Sequence, residues 1–169
     1  PYSQKLFGVP KNVYILGTMN TADRSIAALD TALRRRFQFR EMMPDAKVLD
    51  GIMVEDLSVK EMLLTINRRI AVLYDREQTI GHAYFVPLRQ NPSIDLLGEI
   101  FRNRILPLLQ EYFYEDYEKI RMVLGDNQKS EDEPKFVEVE EADYKNLFGK
   151  TEFDFEGIRT YRINEDAFC

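Results

Sequence analysis

The sequence predicts an α/β region followed by a helical lid and a small β-rich C-terminal part. Three observations support this order: an apolar run suited to a buried strand, two long segments with helical spacing, and short alternating segments near the end. The chain has 169 residues, of which 44% are hydrophobic and 12% are aromatic, so it can form packed cores. We expect domain boundaries that give regions 1–43, 44–125 and 126–169.

The predicted strand is the apolar run VYIL at residues 13–16, which ends at Gly17. A continuous apolar run is typical of a parallel strand that helices cover on both faces. In such sheets the functional residues lie at the carboxyl ends of the strands. Here that position holds the polar loop TMNTADRS at residues 18–25. By itself the loop is better explained as a capping turn between a strand and a helix.

An arginine cluster follows, Arg34, Arg35 and Arg36, at the end of a short predicted helix, Thr31 to Arg35. Three adjacent arginines cannot all face one way on a helix, so at least one should point away from its own domain. A guanidinium is permanently charged and pairs with phosphate oxygens, so it can serve a neighbouring subunit's nucleotide site. The alternative is a solvated basic helix end that the helix dipole favours. Residues 37–43 then alternate as a second predicted strand.

Residues 17–37, GTMNTADRSIAALDTALRRRF, resemble the signature of the McrB-like branch of the AAA+ ring NTPases. These proteins are the GTP-driven motor subunits of restriction systems that act on methylated DNA. The resemblance continues in order and character from roughly Phe7 to Leu124. It implies that residues 1–43 are the C-terminal part of an AAA+ P-loop NTPase core, with parallel strands and helices, and that an α-helical lid follows.

The resemblance also implies the roles of individual residues. Asn20, at the predicted strand end, would be the sensor that helps to orient the attacking water. Asp23 and Arg24 belong to the signature loop, and Arg34 and Arg35 best match the arginines that reach the neighbouring subunit's nucleotide. These five residues are the predicted catalytic set.

Two parts that such an NTPase needs are absent from the sequence. It has no GxxxxGK[ST] loop to bind phosphates, and no apolar strand ending in Asp-Glu to hold the metal. Because the chain begins at Pro1 without an initiator Met, we expect a fragment of a longer protein. We expect Mg²⁺ and GTP or ATP to bind the full-length protein, and the fragment alone to bind them poorly. The alternatives are an ATP-dependent AAA+ remodeller and a non-catalytic interaction module with a degenerate AAA+ fold.

Helical spacing predicts the lid. Apolar residues at intervals of four and three predict a helix over residues 59–74, and a second set predicts one over 94–112. Pro107 must kink or divide the second helix. A shorter element over 114–124 should end at Gly125. The two apolar sets are Val59, Leu63, Ile66, Ile70 and Leu73, and Ile94, Leu97, Phe101, Ile105, Leu108 and Tyr112.

The segment TIGHAYF, residues 79–85, lies between the first two lid helices, where McrB-like proteins carry a GHxYF-type segment. Gly81 and His82 are therefore candidate nucleotide-binding residues, because imidazole can donate a hydrogen bond to a base or phosphate. The alternative is a turn histidine bonded to a nearby carbonyl. Many AAA+ lids place an arginine at the start of the later lid helix; this chain has none there, and Arg102 and Arg104 are weaker substitutes.

The C-terminal region is acidic. The whole chain has a net charge of −6; residues 1–125 carry 17 Lys and Arg against 16 Asp and Glu, and residues 126–169 carry 6 against 13. An acidic surface repels phosphate backbones, so no general nucleic-acid-binding surface is expected. The charged stretch 126–134 predicts a linker, and alternating residues beyond it predict short strands packed on the lid.

The chain has a single cysteine, a single histidine and no long apolar stretch. A single cysteine, Cys169, excludes a disulfide framework, and one histidine without clustered thiols argues against a zinc site, so no metal site is predicted. No apolar stretch reaches the length of a membrane span. The single cysteine makes a cytoplasmic location the simplest expectation. The resemblance implies a homo-oligomeric ring, expected to be hexameric, an McrC-like nuclease subunit as partner, and DNA bound through other parts of the complex.

Overall fold

The structure is a computed structural model that describes residues 8–18, 35–140, 143–152, 154–155 and 158–168. The chain divides into two compact units, residues 1–39 and 40–169. The AAA+ core predicted for residues 1–43 stays a prediction, because much of the first unit lies outside the described residues.

The described part of the first unit is irregular. A turn forms where the Val13 amide donates to the Pro10 carbonyl at 3.1 Å. Residues 13–18 have no regular secondary structure, and Tyr14 and Leu16 are 92% and 95% exposed, so the predicted buried strand is wrong. A strand needs a neighbour to satisfy its N–H and C=O groups, and no described segment pairs with this run. The second predicted strand, over residues 37–43, is also irregular and exposed.

The second unit is mainly helical. Its helices and strands in chain order are β1 (Met53–Val54), β2 (Leu57–Ser58), α1 (Val59–Leu73), α2 (Ile94–Ile100), a π-helical turn (Phe101–Ile105), α3 (Leu106–Phe113), α4 (Tyr117–Leu124), β3 (Val137–Glu140), α5 (Tyr144–Phe148) and β4 (Thr160–Ile163). Short 3-10 helices lie at Ala46–Leu49, Arg76–Gln78, His82–Arg89, Asp126–Gln128 and Glu165–Phe168. The described strands form two antiparallel pairs, β1 with β2 and β3 with β4, rather than parallel ones. None of the described helices is long and apolar enough to cross a membrane.

Helix α1 confirms the first predicted lid helix. Ser58 caps its start, since the Ser58 hydroxyl accepts a hydrogen bond from the Glu61 amide at 3.4 Å. The face that carries Leu63, Ile66 and Ile70 is buried, as the spacing of four and three predicts. This helix forms one wall of the lid core.

The second predicted lid helix is divided just before Pro107. At the π-helical turn, the Leu106 amide donates to the carbonyl of Phe101, five residues earlier. Pro107 has no N–H, and its ring would clash with the carbonyl four residues back, so the wider turn accommodates it. Helix α4 ends at Gly125, where φ is +86°, as predicted for a C-terminal stop.

One hydrophobic core joins the lid helices to the C-terminal residues. Val137 of β3 is fully buried, and the Phe136 ring stacks on Phe101 with centroids 6.2 Å apart. Gly98 of α2 lies so close to the chain end that an added Cβ would sit 1.9 Å from the Phe168 carbonyl oxygen. The acidic C-terminal part therefore packs on the lid.

The stretch interpreted as a linker, residues 126–134, is fixed where it begins. Asp126 is 1% exposed, and its two carboxylate oxygens accept the Phe136 and Val137 amides, each at 2.9 Å. The Lys129 ammonium lies 3.0 Å from the same carboxylate. A buried carboxylate is stable only when it is paired and hydrogen-bonded, so Asp126 ties the end of α4 to the start of β3.

Candidate functional site

The predicted catalytic residues fall mainly outside the described part of the chain. Asn20, Asp23, Arg24 and Arg34 are not among the described residues, and their roles stay predictions. Arg35 is described and lies in an exposed turn.

Gly81 and His82 lie at the start of the 3-10 helix His82–Arg89, between α1 and α2. Phe85 and Leu88 on the inner side of this helix are fully buried, and they hold it against the lid core. Tyr84 on the outer side is 38% exposed. The helix is thus firmly packed on one side and accessible on the other, which suits a ligand-facing element.

Asn67 of α1 fixes the backbone just before Gly81. Its side-chain NH₂ donates to the Ile80 carbonyl at 2.9 Å, and its side-chain oxygen accepts from the Ile80 amide at 2.7 Å. The Ile80 side chain is fully buried. The two bonds satisfy both backbone polar groups of Ile80, as a neighbouring strand would. Asn67 therefore sets the point from which the chain turns into His82.

His82 contacts the chain backbone through one ring nitrogen. The Asp45 amide donates to Nδ1 of His82 at 3.0 Å. A nitrogen that accepts carries no proton, so a neutral His82 has its proton on Nε2. The sequence left His82 either as a nucleotide-binding residue or as a turn histidine bonded to a carbonyl. The structure shows a turn histidine bonded to the backbone, but its partner is the Asp45 amide. Nε2–H has no bonding partner among the described residues and can donate to a ligand.

Asp45 lies where the chain enters the lid. Its carboxylate accepts the Lys47 amide at 3.0 Å and starts the 3-10 helix Ala46–Leu49. At the other end of the His82–Arg89 helix, the Arg89 guanidinium donates to the Val48 carbonyl. The two short helices are therefore bonded to each other at both ends.

Glu41, four residues before Asp45, forms an ion pair with Arg76. The Arg76 guanidinium contacts the Glu41 carboxylate at 2.7 Å, and both side chains are more than 60% exposed. Exposed pairs of this kind stabilise a protein by at most about 1 kcal/mol. Glu41–Arg76 therefore adds a second, weaker contact between the entering chain and the lid.

One tyrosine, Tyr84, belongs to the His82–Arg89 helix, and another, Tyr112, lies close to it. Burial raises the pKa of Tyr112, and the nearby Tyr84 and Glu111 raise it further. The Tyr112 hydroxyl, like that of an ordinary tyrosine, is protonated at neutral pH and can donate a hydrogen bond. Tyr112, Tyr84 and Nε2 of His82 can each donate a hydrogen bond.

The weaker substitutes for a lid sensor are placed differently. Arg102 donates to the Glu165 carbonyl at 2.8 Å, pairs with the Glu165 carboxylate at 3.0 Å, and lies 5.7 Å from the centre of the Phe168 ring. It fastens the C-terminal residues to the helix and has a structural role. Arg104 is exposed on the π-helical turn.

Comparison with known proteins places the lid in a family. Residues 58–121, from the cap of α1 into α4, match the family described as McrB, alpha-helical lid domain. The Type IV methyl-directed restriction enzyme EcoKMcrB subunit of Escherichia coli (strain K12) is 39% identical over 129 residues, a match that covers 67% of this chain. The chain is McrB-like. This confirms the resemblance inferred from the signature, and Asn67 and His82 lie within the McrB lid, whereas Asp45 precedes it. The match covers 28% of the Escherichia coli protein, so the chain spans less than a third of that relative's length.

Sequence reasoning did not identify Asn67 or Asp45 as residues that hold the segment around His82. Asparagine is unfavourable inside a helix, so a half-buried Asn67 among the apolar residues of α1 was a signal for a side-chain hydrogen bond. Asp45 carries the ordinary signature of a helix cap, and nothing local indicates that its amide reaches His82, 37 residues away.

Proposed function

We propose that the chain is the C-terminal half of the AAA+ module of a McrB-like NTPase. The parent protein would be the GTP-hydrolysing motor subunit of a 5-methylcytosine-specific restriction system that drives an McrC-like nuclease. The observation that carries the proposal is the order of three parts in one chain: the MNTADRS loop at residues 19–25, the arginine cluster, and a McrB lid. The similarity to the Escherichia coli methyl-directed restriction enzyme subunit supports the same function.

In this proposal the signature loop and the arginine cluster have different tasks. Asn20 orients the attacking water in its own subunit. Arg34 or Arg35 enters the neighbouring subunit's site and neutralises the charge on the transferred phosphoryl group. Positioning and charge neutralisation account for most of the catalysis of phosphoryl transfer. A ring, expected to be hexameric, is needed because each site takes its arginine from a neighbour.

The nucleotide's metal would be held elsewhere in the parent protein. Bound Mg²⁺ would neutralise phosphate charge. Among the described residues, no three His, Cys, Asp or Glu side chains lie together in a way that could hold a metal ion. The lid would contribute a nucleotide contact from Nε2–H of His82, next to Gly81.

Hydrolysis of GTP and ATP by the full-length protein tests the proposal. Arg34→Ala or Arg35→Ala should lower turnover about 1,000-fold or more, as expected for a trans arginine, while nucleotide binding persists. Arg68→Ala is the matched control, since it removes the same charge from an exposed position on α1 and should leave turnover unchanged.

Other outcomes separate the alternatives. Full turnover in both arginine variants would contradict the trans role. A strong preference for ATP would favour an ATP-dependent remodeller. Hydrolysis of neither nucleotide by the unmodified protein would favour a non-catalytic interaction module.

A further inference from the structure

A groove lies on the surface of the second unit between helices α1 and α2. Its volume is about 530 Å³, and C-terminal residues form part of its lining. The larger apolar side chains that line it are Met62, Ile66, Leu97, Phe101, Phe136 and Phe168. Two further lining residues, Leu57 and Ile94, are 43% and 46% exposed, so the apolar surface reaches solvent. Binding sites in proteins are typically concave, mainly apolar surfaces of this size.

Helix α1 adds charged and polar side chains to one side of the groove, at Glu61, Thr65 and Arg69. These residues are four apart, so they lie on one face of α1, and about 12 Å along the helix axis separates the first from the last. Glu61 takes part in none of the ion pairs among the described residues, and its neighbour Lys60 pairs with Asp50 at 2.7 Å. The Glu61 carboxylate is therefore exposed beside the groove without an opposite charge.

Arg69 is held in place by uncharged groups. Its guanidinium donates to the Val123 carbonyl at 2.9 Å and to the Gln128 side-chain oxygen at 3.1 Å. No described carboxylate forms an ion pair with it. A guanidinium has five N–H donors, so more remain for a ligand. The groove thus combines an apolar lining with a negative and a positive charge two helical turns apart.

We propose that this groove binds an amphipathic helix of a partner protein. The partner helix places an apolar stripe in the groove, a Lys or Arg beside Glu61, and an Asp or Glu beside Arg69. Helices bind grooves through apolar residues spaced three and four apart, and they repeat their side chains at the same interval as α1 does. A ligand much shorter than about 12 Å cannot reach both charges at once. The inference goes beyond the proposed function and does not depend on it.

The described α-helices of this chain do not offer a matching stripe, which favours a different protein over a second copy. A stripe of this kind needs exposed large apolar residues three, four or seven positions apart on one helix. The exposed ones on α-helices are Leu64 and Val72 of α1, Ile94 of α2, Met122 of α4, and Leu147 and Phe148 of α5. No two of them on one helix have the required spacing.

Four synthetic peptides are the probes. All are alanine-based helices with three leucines at spacings of three and four, and they differ only at two positions two turns apart. These positions hold Lys and Glu, two Lys, two Glu, or two Gln. Binding of the labelled peptides to the full-length protein is measured by fluorescence anisotropy. The peptide with Lys and Glu should bind at least about fivefold tighter than the other three, since it alone complements both charges of the groove.

Reversing one charge on the protein should change the preferred peptide. Glu61→Lys leaves two positive charges beside the groove, so the peptide with two Glu should become the tightest binder. The peptide with Lys and Glu should lose at least about fivefold in affinity. A carboxylate at the start of a helix also interacts with the helix dipole, so a thermal melt must accompany this variant. A loss of stability alone would weaken all four peptides and could not reverse their order.

Blocking the groove should abolish binding of every peptide. Thr65 is exposed and lines the groove, so Thr65→Trp places a large ring in the path of the partner helix and should weaken binding at least about tenfold. Val72→Trp is the matched control, because Val72 lies on the same helix, is 80% exposed and does not line the groove. This control should bind the peptides like the unmodified protein.

Several results would overturn the proposal. Equal binding of the four peptides, or the same order of affinities in Glu61→Lys, would show that the charges do not select the ligand. An equal loss in Thr65→Trp and Val72→Trp would place binding outside the groove. Absence of binding by all four peptides would also overturn it. In that case a changed sedimentation coefficient in Thr65→Trp would assign the groove to a second copy, and binding of the dye ANS that Thr65→Trp abolishes would assign it to a small apolar ligand.

Discussion

Replacing Asp126 should destabilise the lid strongly, because its carboxylate supports two backbone amides at once. The Val137 amide it accepts belongs to a fully buried residue, so water cannot replace the lost oxygen. A hydrogen bond to a charged group contributes roughly 1.5–3 kcal/mol, and removing one partner of a buried ion pair costs about 3–5 kcal/mol. These overlapping estimates give a loss of about 3–5 kcal/mol for Asp126→Ala. Asp126→Asn keeps one acceptor oxygen and should lose less.

Urea unfolding followed by circular dichroism measures this loss. Both variants should unfold at lower urea concentration with an unchanged m-value, since the same surface is exposed on unfolding. Asp132→Asn is the matched control: it removes the same charge from an exposed position in the same acidic stretch and should stay within about 0.5 kcal/mol of the unmodified protein. A loss below about 1 kcal/mol for Asp126→Ala would refute the argument that its carboxylate ties α4 to β3.

Two further predictions concern the C-terminal residues. Gly98→Ala places a methyl group 1.9 Å from the Phe168 carbonyl oxygen, so the chain end must move. We expect the free energy of unfolding in urea to fall by about 1–3 kcal/mol and the chain end to be cleaved faster by proteases. Unchanged stability and cleavage would contradict the close approach. Burial alone raises the pKa of Glu118, but hydrogen bonds from Tyr161 and Arg159, each 2.9 Å, outweigh it and lower the pKa below the ordinary 4.5. A lowered folded-state pKa contributes stability above the unfolded value, and this stability disappears as the pH falls through the folded pKa. The melting temperature of the unmodified protein should therefore fall more steeply below about pH 4.5 than that of Glu118→Gln, and parallel curves would contradict this.

Periodicity predicted the lid helices well because each helix buries its apolar face against the others within this chain. The four-and-three spacing located α1 to within a residue at its C-terminal end, and Gly125 marked the end of α4. Pro107 indicated a break, but not that a π-helical turn would form it. Local sequence contains enough information for these elements because their hydrogen bonds are local.

The strand predicted at residues 13–16 is wrong, because an apolar run by itself does not supply a pairing partner. A strand is defined by hydrogen bonds to a neighbour, so an apolar run predicts one only where a partner strand is present. The same limit applies to the connection between His82 and Asp45, which joins residues far apart in sequence. The signature loop and the arginine cluster were found by resemblance, and their geometry lies mostly outside the described residues.

The central claim is that each nucleotide site takes an arginine from the neighbouring subunit, and mixing two inactive variants tests it most directly. In the full-length protein, Asn20→Ala should lack the water-orienting group of its own site, and Arg34→Ala the charge it supplies to its neighbour. Each alone should hydrolyse GTP poorly, and an equal mixture should regain about a quarter of the unmodified rate, the fraction of interfaces at which both groups are intact in a random ring. A mixture that forms mixed rings and regains nothing would contradict the trans arginine.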